Sequence, residues 1–150
     1  MKGFLKACID FTLEKTKYES EDTELLNDSS VDSAKIGSSG YSAQIGSSGD
    51  SAQIGSSGDL AQIGSSGDSA QIISEGKNSV VMAAGYNSVA KAKVGSWITL
   101  AEWVDTGEVN EIGYRIYIPK CVKTEYVDGE NIKEDTFYKL VNSKFVEVEN

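Results

Sequence analysis

From residue 32 onward the chain sets small or branched apolar side chains at alternate positions in short bursts, and the bursts return every nine residues. In the unit Asp-Ser-Ala-Gln-Ile-Gly-Ser-Ser-Gly, Ala and Ile stand two apart with Gln between them. An extended backbone therefore points Ala and Ile to one side and Gln to the other. The pattern predicts a three-residue strand, inward-outward-inward, followed by a turn through Gly-Ser-Ser-Gly in which glycine supplies a positive φ. Asp32–Gly40, Tyr41–Gly49, Asp50–Gly58 and Asp59–Gly67 are clean units. Asp68–Gly76 starts the same way but turns through Ile73-Ser74-Glu75-Gly76. Lys77–Gly85 keeps the pattern with Ser79 and Val81 in the Ala and Ile places, and Tyr86–Val94 keeps it more weakly with Ser88 and Ala90.

A nine-residue unit buries nothing alone, so the units must stack. Strand and turn alternating on a fixed period predict a parallel β-solenoid with like residues about 4.8 Å apart. A helical repeat is disfavoured, because two glycines per unit cost roughly 2 kcal/mol relative to alanine. A Gly/Ser-rich linker is the other alternative, but a linker has no reason to hold Ala-x-Ile in phase. Two inward apolar residues per unit fill a thin core. That favours a flat roll with two units, 18 residues, in each coil, and about three and a half coils over the seven units. A triangular coil of three units would leave a wide interior. The predicted fold class is thus all-β: a short parallel β-solenoid, or flat β-roll, capped by an N-terminal strand segment and a C-terminal antiparallel sheet. The predicted division is 1–31 for the N-terminal cap and acidic connector, 32–94 for the solenoid, and 95–150 for the C-terminal cap.

The flanks read as ordinary protein. Leu5, Ala7, Ile9, Phe11 and Leu13 alternate with polar neighbours at strand period, with a short amphipathic helix as the weaker alternative. Glu19–Glu24 is a charged connector. After the repeats, the run from Gly95 to Trp103 predicts a strand that closes the end of the solenoid, where unpaired backbone and apolar core need cover. Trp97 and Trp103 are accordingly expected in the cap, a partner surface being the other place for a tryptophan. Further strands are predicted at Tyr114–Ile118 and Val122–Val127, with a turn at Asp128-Gly129. A hairpin, Phe137–Val141 and Phe145–Val148, is predicted about Asn142-Ser143. These would form a small antiparallel sheet able to cross between two chains.

Charge and chemistry narrow the function. An 18-residue coil stacks Asp32, Asp50 and Asp68 in one column and Tyr41, Asp59 and Lys77 in the other. Unit charges at that spacing repel by roughly 0.9 kcal/mol even in water. The column is either an acidic stripe or, the preferred reading, a row of turn residues whose carboxylates bond their own backbone. Calcium-binding nonapeptides read G-G-x-G-x-D-x-U-x; in that frame Ser51, Leu60 and Ser69 occupy the ligand position, so the carboxylate calcium needs is missing. The outward Gln44, Gln53, Gln62 and Gln71 likewise do not form the flat Thr array of an ice-binding face. They are expected to form hydrogen-bonded ladders along the coil axis. There is no histidine, and the two cysteines, Cys8 and Cys121, lack metal-ligand spacing. Histidine-based catalysis and most zinc sites are therefore excluded, and no cofactor is expected. The net charge of −9 disfavours a nucleic-acid binder. It divides as −3 over 1–31, −1 over 32–100 and −5 over 101–150, so the caps are acidic and the repeats nearly neutral. No apolar run approaches the roughly 18 residues of a membrane span. Lys6 and Asp10 interrupt the N-terminus where a signal peptide would be apolar, so the cytoplasm is the expected location.

The Ala-Gln-Ile-Gly-Ser-Ser-Gly units resemble those of an uncharacterised family of nonapeptide-repeat proteins from bacteriophages and gut bacteria. So does the tail, in Gly95-Ser96-Trp97-Ile98-Thr99-Leu100-Ala101-Glu102 and in Cys121-Val122-Lys123-Thr124-Glu125-Tyr126-Val127-Asp128-Gly129-Glu130. The resemblance spans about residues 32–149, and the first 31 residues look like a shortened version of a longer N-terminal domain. It implies a phage or mobile-element context and no particular reaction. The resulting expectation is a non-enzymatic protein-binding module, an anti-CRISPR-like inhibitor of a basic, nucleic-acid-binding host defence protein, and a homodimer. The candidate contact residues are Glu19, Glu21, Asp22, Glu24, Trp103, Glu125, Asp128 and Glu130. The alternative is a structural assembly module of a phage or bacterial surface protein, and an enzyme is the least supported reading.

Overall fold

The computed structural model describes residues 28–149, and among them every regular element is a strand. In chain order these are β1 Asp28–Ser29, β2 Lys35–Ser38, β3 Gln44–Ser47, β4 Gln53–Ser56, β5 Gln62–Ser65, β6 Gln71–Ser74, β7 Val80–Ala83 and β8 Val89–Lys91. The C-terminal part adds β9 Trp97–Val109, β10 Arg115–Tyr126, β11 Phe137–Val141 and β12 Lys144–Val148. Two six-stranded sheets result, one ordered β1-β3-β5-β7-β9-β10 (sheet A) and the other β12-β11-β8-β6-β4-β2 (sheet B). Successive repeats alternate between the sheets, and partners in a sheet are 18 residues apart, as in Ile45↔Ile63 and Ile54↔Ile72. This is the flat two-unit coil that the thin core predicts, wound for about four turns.

The strands differ from the three-residue prediction. β3, β4 and β5 each cover Gln-Ile-Gly-Ser with Ala just before it, and β2, β6 and β7 cover the equivalent four residues. Alternation persists through the whole unit: Ala43, Ile45, Ser47 and Gly49 point inward while Gln44, Gly46 and Ser48 are exposed. The core between the sheets is a stack of Ala and Ile rungs, continued by Val81, Ala83, Ala90, Ile98 and Leu100.

The glycines do a different job from the one expected. None of the repeat glycines has a positive φ; that conformation falls two places later, at Ser33, Ser42, Ser51, Leu60 and Ser69, and at Asn78 and Asn87. The inward glycine is required instead for close approach. A Cβ on Gly58, Gly67, Gly76 or Gly85 would come closer than 3.0 Å to the carbonyl oxygen of the glycine one coil earlier. The outward glycine is unconstrained: at Gly46, Gly55 and Gly64 a Cβ meets nothing within 4 Å. Ile73 and Met82 take that outward place in later units. The aspartates do serve the turns, although their partner is the next coil and not their own backbone. Oδ1 of Asp32, Asp50, Asp59 and Asp68 accepts the N–H of Asp50, Asp68, Lys77 and Tyr86 respectively, at 2.7–3.1 Å.

Winding continues beyond Val94. One residue is dropped at Gly95 (φ +92°), which takes the positive-φ place, and β9 opens as a further rung with Val81↔Ile98 and Ala83↔Leu100 in register. The Gly95–Trp103 segment thus belongs to a 13-residue strand that runs well past the solenoid. The two strands expected at Tyr114–Ile118 and Val122–Val127 are one strand, β10, with register irregularities between Arg115 and Tyr117 and between Pro119 and Cys121. The Asn142-Ser143 hairpin forms as predicted, both residues having the positive φ of a type I′ turn. The antiparallel strands do not build a separate layer, because β10 extends sheet A and β11–β12 extends sheet B. The predicted strand within residues 5–13 and the acidic residues Glu19, Glu21, Asp22 and Glu24 lie outside the described residues.

Candidate partner-binding surfaces

The most conspicuous surface is made by the outer halves of β9 and β10. Every residue from 105 to 115 is exposed. A ribbon packed on one face would show alternating burial, so this one stands clear of the solenoid on both faces. Five residues, Asp105–Val109, carry it outward by about 17 Å at 3.3 Å per residue.

Its base is fixed by three contacts. Trp103 Nε1 donates to the Ala84 carbonyl at 2.8 Å. The Tyr117 ring packs on Tyr86, a turn residue of the solenoid, with centroids 4.3 Å apart. Glu102 lies buried at the seam between the two sheets, and its carboxylate accepts the backbone N–H groups of Asn142 and Ser143 at 2.9 Å each. Lys120 approaches the same carboxylate at 3.3 Å. These bonds, the Ser143 N–H foremost, hold the Glu102 pKa below its ordinary value. A cleft of about 230 Å³ opens beside Glu102, lined by Tyr86, Trp103, Lys139 and Leu140 among others. Cys121, with a free thiol, sits 3.5 Å from Glu102 and 3.4 Å from Ser143 Oγ.

Beyond the base the ribbon is rigidified internally. Asp105 pairs with Arg115 across the strands, and the Gly107 N–H with that guanidinium keeps the Asp105 pKa low. Thr106 Oγ1 donates to the Ile116 carbonyl at 2.9 Å. At the tip Asn110 Oδ1 accepts from the N–H groups of Ile112 and Tyr114 at 3.1 and 3.0 Å, and Gly113 supplies a positive φ. That ordered tip displays Val109, Ile112 and Tyr114, which are 60%, 76% and 68% exposed. Glu108 and Glu111 stand exposed beside them.

The residues singled out from sequence divide accordingly. Trp103 is half-buried and ties down the ribbon, in keeping with a cap role. Glu125 is exposed near the end of β10, and Asp128 and Glu130 follow in the connection to β11. Asp128 organises that connection. Its carboxylate accepts from Asn131 Nδ2 and from the N–H groups of Glu130, Asn131 and Ile132, which lowers its pKa to about 2. The structure therefore brings Glu125, Asp128 and Glu130 into one stretch, remote in sequence from the ribbon tip. Sequence reasoning missed the tip. Its signal is the Asn110–Gly113 turn between two long alternating runs.

Among the described residues no helix is long and apolar enough to cross a membrane. No protein-family model, curated protein or solved structure matches the chain.

Proposed function

We propose that the protein is a non-enzymatic binding module that engages a protein partner through the tip of the β9–β10 ribbon. The observation that carries this reading is a pre-ordered, free-standing ribbon that displays Val109, Ile112 and Tyr114 to solvent. An isolated two-stranded ribbon is marginally stable in water. Here internal hydrogen bonds fix it in an exposed shape, so the partner's binding energy is not consumed in ordering it. Aromatic and aliphatic anchors ringed by charge are the usual make-up of a contact hot spot.

Glu108 and Glu111 beside the apolar tip, in a chain of net charge −9, suit an apolar groove with a basic rim. Such rims occur on proteins that handle nucleic acid. With the phage-like repeat resemblance, this favours occlusion of a nucleic-acid-binding host defence protein in the cytoplasm, an anti-CRISPR-like role.

The test places a photo-crosslinking amino acid at Ile112, recovers the crosslinked protein and measures its affinity with purified components. The double variant Ile112→Ser, Tyr114→Ser touches no core residue. It is expected to weaken binding by roughly a hundredfold, the loss of two hot-spot side chains. Unchanged affinity in that variant would sink the assignment of the tip.

A further inference from the structure

Across β3, β5, β7, β9 and β10 the outer face of sheet A presents no charge in its central rows; among the described residues the short edge strand β1 adds one charged position, Asp28 beside Gly46. The rows follow from the strand registers. One row is Gln44, Gln62, Val80, Trp97 and Tyr126, and the next is Gly46, Gly64, Met82, Thr99 and Thr124. A third holds Ala101 paired with Val122. The equivalent rows of sheet B contain Lys35 and Lys91. Charged residues number 14 basic and 23 acidic in the whole chain, so uncharged rows of this extent are a pronounced local departure.

The face is also divided into two complementary halves. Toward β10 it is raised and apolar, with Val80, Met82, Trp97, Tyr126 and Val122 between 42% and 61% exposed. Its polar groups there are already matched, since Thr99 and Thr124 hydroxyls bond each other at 2.8 Å, and Trp97 rests against Tyr126 at 5.0 Å. Toward β3 the glycine row is recessed, because Gly46 and Gly64 have only open space where a side chain would be, beside the exposed Gln44 and Gln62.

We infer that this face binds a second copy of the chain in an isologous dimer. A two-fold axis lying in the interface, along the strands and between β5 and β7, carries each Met82 over Gly64 of the other copy. It also carries the Trp97–Thr99 segment over Gln44–Gly46. The Met82 and Thr99 row meets the recessed glycine row, and Val80 and Trp97 lie over Gln62 and Gln44, in both directions, as self-complementary two-fold contacts require. A hetero-partner is disfavoured because the five strands from β3 to β10 offer no charge in these rows to steer or select it. The two-fold sets the β1 edges, with Asp28, at opposite ends of the interface, so two strongly acidic molecules can approach. Five strands about 4.8 Å apart and some five residues long give each face about 400 Å² in plan. That is roughly half the area per partner of a standard interface, so the dimer is weak and reversible.

Sedimentation velocity of the full chain over a wide concentration range tests this. The expected result is a monomer–dimer equilibrium in the micromolar range that tightens as salt screens the net charge. Met82→Lys sets two like charges near the axis and is expected to weaken association by about tenfold or more. Because Met82 is half-exposed, the folded state should persist, which circular dichroism checks. Ile73→Lys, the same rung position on sheet B, and the ribbon-tip double variant are expected to associate like the wild type. The latter separates this inference from the proposed function. A wild type that stays monomeric throughout overturns the inference and leaves the face to another occupant. Equal association of Met82→Lys and wild type, or equal loss in Ile73→Lys, also overturns it.

Discussion

Alanine at Gly58 and alanine at Gly55 are the same chemical change three residues apart in one repeat, yet they should have opposite effects. At Gly58 the new Cβ would fall closer than 3.0 Å to the Gly40 carbonyl oxygen, backbone against backbone, so no flexible side chain can yield. The coils would have to part by about 1 Å to restore ordinary contact. Two coil-to-coil hydrogen bonds bracket the site, Ser57 N–H to the Ser38 carbonyl at 3.0 Å and Ser42 N–H to the Asp59 carbonyl at 2.8 Å. Stretching both past useful range costs about 1 kcal/mol each, and overpacking adds about 1–3 kcal/mol. Gly58→Ala should therefore destabilise by about 3–5 kcal/mol, a large part of the total stability of such a domain. At Gly55 the Cβ meets nothing within 4 Å, and Ile73 already occupies the equivalent place in the next coil of sheet B. There alanine restricts the unfolded chain and should stabilise by about 0.5 kcal/mol. Urea unfolding followed by far-UV circular dichroism, at low protein concentration, measures both. Should the two variants unfold within about 1 kcal/mol of each other, carbonyl-to-glycine contact does not set the coil spacing, and the reasoning fails.

Two further outcomes follow from the same geometry. Among the described residues Leu60 is the one bulky aliphatic side chain at a positive-φ position (φ 59°), where Asn stands at 78 and 87. Leu60→Asn should raise stability by about 1 kcal/mol through relief of left-handed strain, and an unchanged or lower melting temperature would count against that strain. Asp128 has a folded pKa of about 2, below its ordinary 3.8. A depressed carboxylate pKa contributes stability that is complete above the unfolded value and is lost as pH falls through the folded one. The melting-temperature gap between wild type and Asp128→Ala should thus be constant above about pH 5 and shrink toward about pH 2. A gap independent of pH across that window would refute the role given to its hydrogen bonds.

Legibility from sequence varied by residue, for physical reasons. Ala52 and Ile54 announce their inward side, because a two-residue alternation on a fixed period allows one register only. The same repeat hid which glycine does what. Gly55 and Gly58 look alike in the chain, and only the stacking of one coil on another puts a carbonyl over the second and open space over the first. Asp50 was legible as a turn residue, but its bond to the Asp68 N–H crosses 18 residues and depends on the coil being closed. The ribbon was concealed at Pro119–Cys121, the gap between the short strands read at Tyr114–Ile118 and Val122–Val127, which is an irregularity inside one strand. Glu102 looked like ordinary acid background until Asn142 and Ser143 arrived from 40 residues away.

The sequence by itself determined the solenoid: its 18-residue coil, its flat two-sided section and its Ala and Ile rungs. A period that short leaves each unit with its own copy as the only partner able to bury it. The tertiary structure alone decided where the non-repeating strands go. It divided the C-terminal hairpins between the two sheets, freed the β9–β10 ribbon, and left the outer face of sheet A from β3 to β10 with uncharged central rows, one of them a recessed glycine row. Those features arise from contacts between segments with no shared pattern, whose placement depends on the shape of the solenoid end they meet.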